Sequence, residues 1–420
     1  MTEASRRSGA LGKVTIATII AAASGYLVLL LAARDLGAAG YGVFAVFWAA
    51  YGMVTGAQNG QLQETTRAVR ATSGGAVGAP GGRCRPWLVN GCIGLTLGLL
   101  VAATSPLWSG HVFTEYRALS VALLSIGVAS FAVYAHLAGA LSGSVSWGTF
   151  AMLMSIDALI RLVAAVVVVV VGGGLTAFLV ITVVGSVSWM ILLSTSAPAR
   201  HAVGLPGDVA TWRFTGNTVT AMAAAAASAV LVMGFPVLIK ATGGHHPGDT
   251  ATVGAVVLAV TLTRAPLLVP LNSFQGVLIT RFVDGRHRLG SALAIPLGVV
   301  AGIGIVGAAA AWAVGPWLLG NVFGASFRLS GTSIAWFTLG ATTLALLTVT
   351  GAAAIAVGAH RWYAAGWWAA TIASIGLLLL PLGVADRVAI ALIAGPVFGM
   401  MVHLSGLAPR SRLTAETARV

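Results

Sequence analysis

Twelve apolar runs, each about 20 residues or longer, fill this 420-residue chain almost from end to end. They are 13–33, 41–62, 87–105, 118–142, 148–171 and 175–195 in the first half. The second half holds 216–239, 250–279, 289–313, 331–357, 362–382 and 388–407. A helix rises about 1.5 Å per residue, so each run covers the roughly 30 Å hydrocarbon core of a bilayer. Lipid offers no partner to a backbone amide, and continuous runs of this length satisfy that constraint only as helices. The chain is therefore expected to be an all-α integral membrane protein with twelve transmembrane helices.

Charge supports this and removes other classes. Hydrophobic residues make up 58% and charged residues 8%, against about 25% charged in a soluble domain. A soluble enzyme could not cover its surface with so little charge. The net charge of +13 does not point to nucleic acid, because the basic residues sit singly between apolar runs and form no stripe. Cys84 and Cys92 make neither a disulfide framework nor a metal-ligand pattern, and His245 and His246 lack further ligands. No cofactor, metal or catalytic residue is expected. Orientation follows from arginine and lysine. With the N-terminus inside, sixteen of the 23 fall on cytoplasmic segments and five on outer loops, with Arg161 and Arg264 within spans. Both termini are expected in the cytoplasm.

An internal repeat appears at a displacement of 210 residues. Pro106, Gly110, Val112, Phe113, Leu119 and Ser120 match Pro316, Gly320, Val322, Phe323, Leu329 and Ser330. A repeat of six spans keeps its orientation, so the expected architecture is two six-helix lobes related by a pseudo-two-fold axis along the membrane normal. The expected division is a cytoplasmic N-terminus (1–12), an N-lobe (13–195), a cytoplasmic linker (196–215), a C-lobe (216–407) and a cytoplasmic tail (408–420). Such two-lobe plans place a cavity between the lobes and work by alternating access.

Three segments now carry a family resemblance. Arg34-Asp35-Leu36-Gly37-Ala-Ala-Gly40-Tyr41-Gly42-Val43-Phe44 resembles the R-x-L-G-x-x-x-Y-G-x-F signature of polysaccharide-export flippases. These belong to the multidrug/oligosaccharidyl-lipid/polysaccharide (MOP) superfamily. Leu262-Thr-Arg264-Ala-Pro266, followed by Gln275 to Arg281, is similar to their eighth span and its exit. Gly315-Pro316 to Phe323-Gly324 resembles their segment between spans nine and ten. The resemblance implies an inner-membrane transporter that flips an undecaprenyl-diphosphate-linked oligosaccharide, a cell-surface polysaccharide precursor. It implies a cavity lined largely by spans 1, 2, 7 and 8, with membrane lipids and polysaccharide polymerase machinery as partners. Three rival readings remain: a multidrug or cation antiporter of the same superfamily, a membrane glycosyltransferase or polymerase of polysaccharide synthesis, and a scaffold partner without transport.

Charges within spans are functional candidates by default. Asp157 and Arg161 lie four apart on span 5 and share a helix face. They read either as a structural ion pair or as a substrate contact (Arg161) oriented by an acid that could also bind a coupling cation. Arg264 on span 8 has no acidic neighbour on its own helix. It reads as a contact for the lipid diphosphate, through its planar fork, or as pairing elsewhere. Pro266 and Pro270 make span 8 kinkable. Gln58, Asn59 and Gln61 on span 2, Asn217 on span 7, and Asn272 and Gln275 on span 8 are candidate sugar contacts, or mark where each helix leaves the bilayer. His136 reads as a packing histidine, and Trp362, Tyr363, Trp367 and Trp368 as an interfacial belt.

Overall fold

The computed structural model describes residues 3–73, 84–242, 249–284, 289–357 and 359–417. These are almost wholly helical, with no strand among them. The elements are α1 (Glu3–Ser73), α2 (Pro86–Val112), α3 (Arg117–Gly143), α4 (Trp147–Val171), α5 (Gly174–Val184), α6 (Ser188–Thr195) and α7 (Ala197–Val203). The second half holds α8 (Thr211–Val232), α9 (Phe235–Thr242), α10 (Asp249–Asp284), α11 (Leu289–Leu318), α12 (Gly331–Ala356), α13 (His360–Leu378) and α14 (Val384–Thr417). Nine helical stretches among the described residues are long and apolar enough to cross a bilayer, the first of them carrying two of the expected spans. A shorter apolar stretch, Thr252–Leu268, marks span 8. Every expected run is helical over most of its length. This is an all-α, multi-pass membrane protein.

Spans 1 and 2 meet at Gly37, which breaks α1 with φ 64 and ψ 179. That region is closed to most L-residues and open to glycine, so one residue re-aims the chain without a loop. Span 7, expected as a single helix, is divided at Met233–Gly234 into α8 and α9. Gly234 donates to the Ala229 carbonyl at 3.0 Å, and Pro236, two residues later, has no amide to offer the α8 ladder. The linker 196–215 contains α7, whose Ser196 side chain caps the Ala199 amide. The chain beyond α7 is pinned to the other long connection: Cys84 donates to Val209 O at 3.0 Å and Gly207 to Cys84 O at 3.1 Å.

The chain divides into two compact units. Unit 1 comprises residues 1–36 and 46–234, and unit 2 comprises 37–45 and 235–420. The sequence pattern places the boundary within 196–215, whereas packing keeps α8 in unit 1 and gives the start of span 2 to unit 2. Within unit 1, Gly127, Gly139 and Gly143 of α3 face Tyr51, Leu62 and Thr66 of α1. Gly52, Gly56 and Gly60 of α1 face Met233, Ala229 and Met222 on the α8 side. Small residues at four-residue spacing let helix backbones approach closely, which is how helices associate where lipid removes the hydrophobic drive. Within unit 2, α12 is the most buried of the spanning helices. Its Thr338, Thr342 and Thr348 hydroxyls donate to carbonyls four residues back, so burial leaves these donors satisfied.

The 210-residue displacement carries through the packing. Gly94 of α2 lies against Ala132 of α3, and Gly304 of α11, its equivalent, lies against Thr342 of α12, the equivalent of Ala132. Gly185, after α5, admits the side chains of Asp157 and Arg161, and its equivalent Gly395 admits Ser374. The Trp-Tyr cluster is split: Trp362 and Trp368 are exposed and Trp367 is buried. Tyr363 stacks on His403 at 6.1 Å.

Candidate functional site

Unit 1 holds a partly open cavity of ≈ 370 Å³ between α1, α3, α4 and α5, with Met233 also in its lining. Trp48, Tyr51, Thr55 and Asn59 reach it from α1 because they lie at successive three- and four-residue steps on one face. Met154, Asp157 and Arg161 reach it from α4 by the same spacing, and Phe131, Tyr134 and Ala138 from α3. The structure thus brings together three of the residues singled out from sequence: Asp157, Arg161 and Asn59.

The Arg161 guanidinium donates to Asp157 Oδ1 at 2.8 Å. The two side chains are 20% and 16% exposed, so both charges lie largely out of solvent. The Arg161 guanidinium carbon also sits 5.9 Å from the Trp48 ring centroid, where the negative face of the ring favours a cation. Gly185 provides the space: a β-carbon there would collide with both partners. Sequence inspection missed this glycine, although its repeat partner Gly395 was available as a signal. Asn59 is exposed, and Phe131 stacks on Tyr134 with centroids 5.1 Å apart.

The other amides of span 2 have a different role. Gln58 and Gln61 are fully buried. Gln58 Nε2 donates to Val128 O at 3.0 Å, and Gln61 Nε2 points to Asn90 O at 3.5 Å. Asn90 donates to Thr65 Oγ1 at 2.8 Å and meets His136 Nδ1 at 3.3 Å, while His136 Nε2 meets Val203 O at 3.0 Å. These groups join α1, α2, α3 and the C-terminal end of α7, and His136 is the packing histidine the sequence suggests. Asn217 belongs to a charged cluster that sequence inspection did not assemble. Arg67 binds Glu64 at 2.7 Å and Asp208 at 3.0 Å, and Asn217 Nδ2 donates to Glu64 Oε1 at 3.1 Å. The cluster fastens α8 and the linker to α1.

In unit 2, Arg264 is 7% exposed, and its guanidinium carbon lies 5.0 Å from the Phe235 ring centroid. Phe235 is the first residue after the break in span 7, so this contact joins α10 to α9. A separate groove of ≈ 270 Å³ runs between α10, α11 and α12, lined by Leu262, Pro266, Ile303, Ala311 and Val314 among others. Its Thr263 and Thr338 hydroxyls donate to carbonyls of their own helices. The side chains of Asn272 and Gln275, and all of His245 and His246, lie outside the described residues. Among the described residues no group of three or more His, Cys, Asp or Glu could hold a metal ion.

No family model matches the chain. "Uncharacterized protein Rv3630" of Mycobacterium tuberculosis is 49% identical over 401 residues, covering 96% of this chain and 92% of the relative. The chain belongs to the family of this mycobacterial protein. Among solved structures, similarity extends over the whole fold at low identity. A multidrug resistance MATE family transporter of the MOP superfamily, in an inward-facing conformation, aligns with TM-score 0.73 at 12% identity. That alignment covers 96% of this chain and 99% of the other. The Lipid II flippase MurJ, in an inward closed conformation, aligns with TM-score 0.66 at 13% identity, covering 96% of this chain and 90% of MurJ. The family member thus has the fold of MOP superfamily transporters and flippases.

Proposed function

We propose that this chain is an inner-membrane transporter that flips an undecaprenyl-diphosphate-linked oligosaccharide, a precursor of a cell-surface polysaccharide, by alternating access. The observation that carries this reading is the unit 1 cavity, which lies inside a membrane-embedded fold shared with a lipid flippase. It combines aromatic walls with hydrogen-bonding groups, as a saccharide head group requires. Arg264 supplies a guanidinium for the lipid diphosphate. Both termini face the cytoplasm, and the polysaccharide polymerase machinery is the expected partner. No step of covalent chemistry is assigned to the chain.

The second reading, a multidrug or cation antiporter, draws on the MATE transporter's similarity and on Asp157 within the cavity. Pairing with Arg161 weighs against it, because a cation would have to displace a guanidinium held at 2.8 Å. The deciding experiment reconstitutes the protein in liposomes. Protection of a fluorescent undecaprenyl-diphosphate oligosaccharide from an external quencher should fall with time if it is flipped. Efflux of ethidium without movement of the lipid would establish the antiporter instead. For orientation, external thiol labelling should reach Gly244→Cys and miss Gly75→Cys.

A further inference from the structure

We infer that the unit 1 cavity is a subsite for one electrically neutral sugar ring of the transported head group. This rests on the reading above and adds to it a position and a charge class. Charge restricts the ligand first. Asp157 and Arg161 are the only charged residues in the cavity's described lining, and they are paired at 2.8 Å. A lone carboxylate would attract cations and a lone guanidinium anions. The pair instead presents donors and acceptors side by side with no net charge, so a charged ligand would bring an unmatched charge into a mostly apolar site.

The chemistry of the lining restricts it further. The Phe131–Tyr134 stack, Tyr51 and Phe150 give flat apolar walls. The C–H faces of a sugar ring pack on such surfaces while its equatorial hydroxyls point to the edges. The Asn59 amide and the ion pair line the same cavity. Thr55 and Thr182 donate their hydroxyl hydrogens to their own helices, which leaves Asn59, Asp157, Arg161 and the Tyr51 hydroxyl, buried without a partner among the described residues, as the polar groups for the ligand. A volume of ≈ 370 Å³ lies near the lower end of the roughly 300–1,000 Å³ of ligand pockets, which suits one ring rather than a whole oligosaccharide. The unit 2 groove differs in kind, because both its threonines donate internally and its described lining offers no charged or amide group.

The test uses the full-length protein in nanodiscs and a neutral methyl glycoside carrying a diazirine, with crosslinks mapped by mass spectrometry. Crosslinks should fall on residues 48–62, 131–138 and 150–161. Unlabelled methyl glucoside, mannoside or galactoside should compete, and glucuronate and tetraphenylphosphonium should not. Asn59→Ala, at an exposed position, should lower the yield about two- to tenfold, the equivalent of one hydrogen bond. Arg161→Gln should admit tetraphenylphosphonium as a competitor, and Asp157→Asn should admit glucuronate. Should either charge variant fail to fold, Asn59→Ala carries the test alone. Crosslinks outside the cavity, no effect of Asn59→Ala, or stronger competition by either charged compound in the unsubstituted protein would overturn the subsite. Lipid flipping retained alongside any of those results would remove the subsite and leave the transport function. Ethidium efflux without flipping would remove both.

Discussion

The Asp157–Arg161 pair makes a prediction about stability that is independent of any substrate. Arg161→Gln leaves a carboxylate in a site where the arginine was its hydrogen-bonded partner, and Asp157→Asn leaves a guanidinium. Stranding one member of a fully buried pair costs about 3–5 kcal/mol. Here the side chains retain 20% and 16% exposure, so water can relieve part of the penalty and each single variant should lose about 2–3 kcal/mol. The double variant Asp157→Asn/Arg161→Gln replaces two charges by two amides, and should lose about 1 kcal/mol or less. A coupling energy of at least about 3 kcal/mol is expected, since residues in direct contact do not add. Reversible unfolding in mixed SDS and dodecylmaltoside micelles, read by tryptophan fluorescence, measures all four proteins on one scale. A double variant as unstable as the sum of its parents would show that the two charges do not support each other, and the neutral-cavity argument would fall with it.

Three further outcomes rest on the packing. Gly94→Ala and Gly304→Ala should each destabilise by about 1–3 kcal/mol through overpacking at equivalent helix crossings. Gly302→Ala, with nothing within 4 Å, should instead stabilise by about 0.5–1 kcal/mol through helix propensity. Equal effects at Gly94, Gly304 and Gly302 would contradict the repeat's packing. Arg67→Met should cost about 1–2 kcal/mol, because Glu64 is buried while the arginine is 44% exposed and partly screened; an unchanged melting temperature would remove the cluster's role in holding α8. Burial pushes the Cys84 thiol above its ordinary range, so less of it is thiolate at any given pH than in a free cysteine. In a Cys92→Ser background, maleimide labelling should be slow at neutral pH, keep rising beyond the range where a free thiol levels off, and become ordinary in SDS.

Helix positions were legible from hydropathy because lipid admits few alternatives, and every expected run is helical over most of its length. The break in span 7 was not, because 216–239 is apolar for most of its length and Gly234 differs from the chain's many other glycines only in the Phe235-Pro236 that succeeds it. Asp157 and Arg161 were readable as a pair from their spacing alone. The aromatic residues beside them were not, since Trp48, Tyr51 and Tyr134 look like any lipid-facing ring until the helices are assembled. Gln58, Asn59 and Gln61 show the same limit from the opposite side. Three neighbouring amides look alike in sequence, but successive residues on a helix are rotated by about 100°, and only Asn59 turns into the cavity. The series Gly52, Gly56, Gly60 was an available signal for close packing on span 2, but it does not name α8 as the helix that packs there.

The exchange of segments between units has a consequence for biogenesis. Residues 37–45 belong to unit 2, where Ala38 lies against Gly254 and Tyr41 meets Phe327 edge-on at 5.6 Å. During synthesis this piece enters the membrane long before the helices it will pack with exist. Its buried side chains, Tyr41 and Phe44 among them, must therefore wait, covered by lipid or by an insertion factor, until the chain beyond Phe235 arrives. The second unit then assembles around a strut already fixed at its other end in the first. A gene cut in the linker would yield a C-terminal fragment without that strut, so the two halves should need to be made together, and in order.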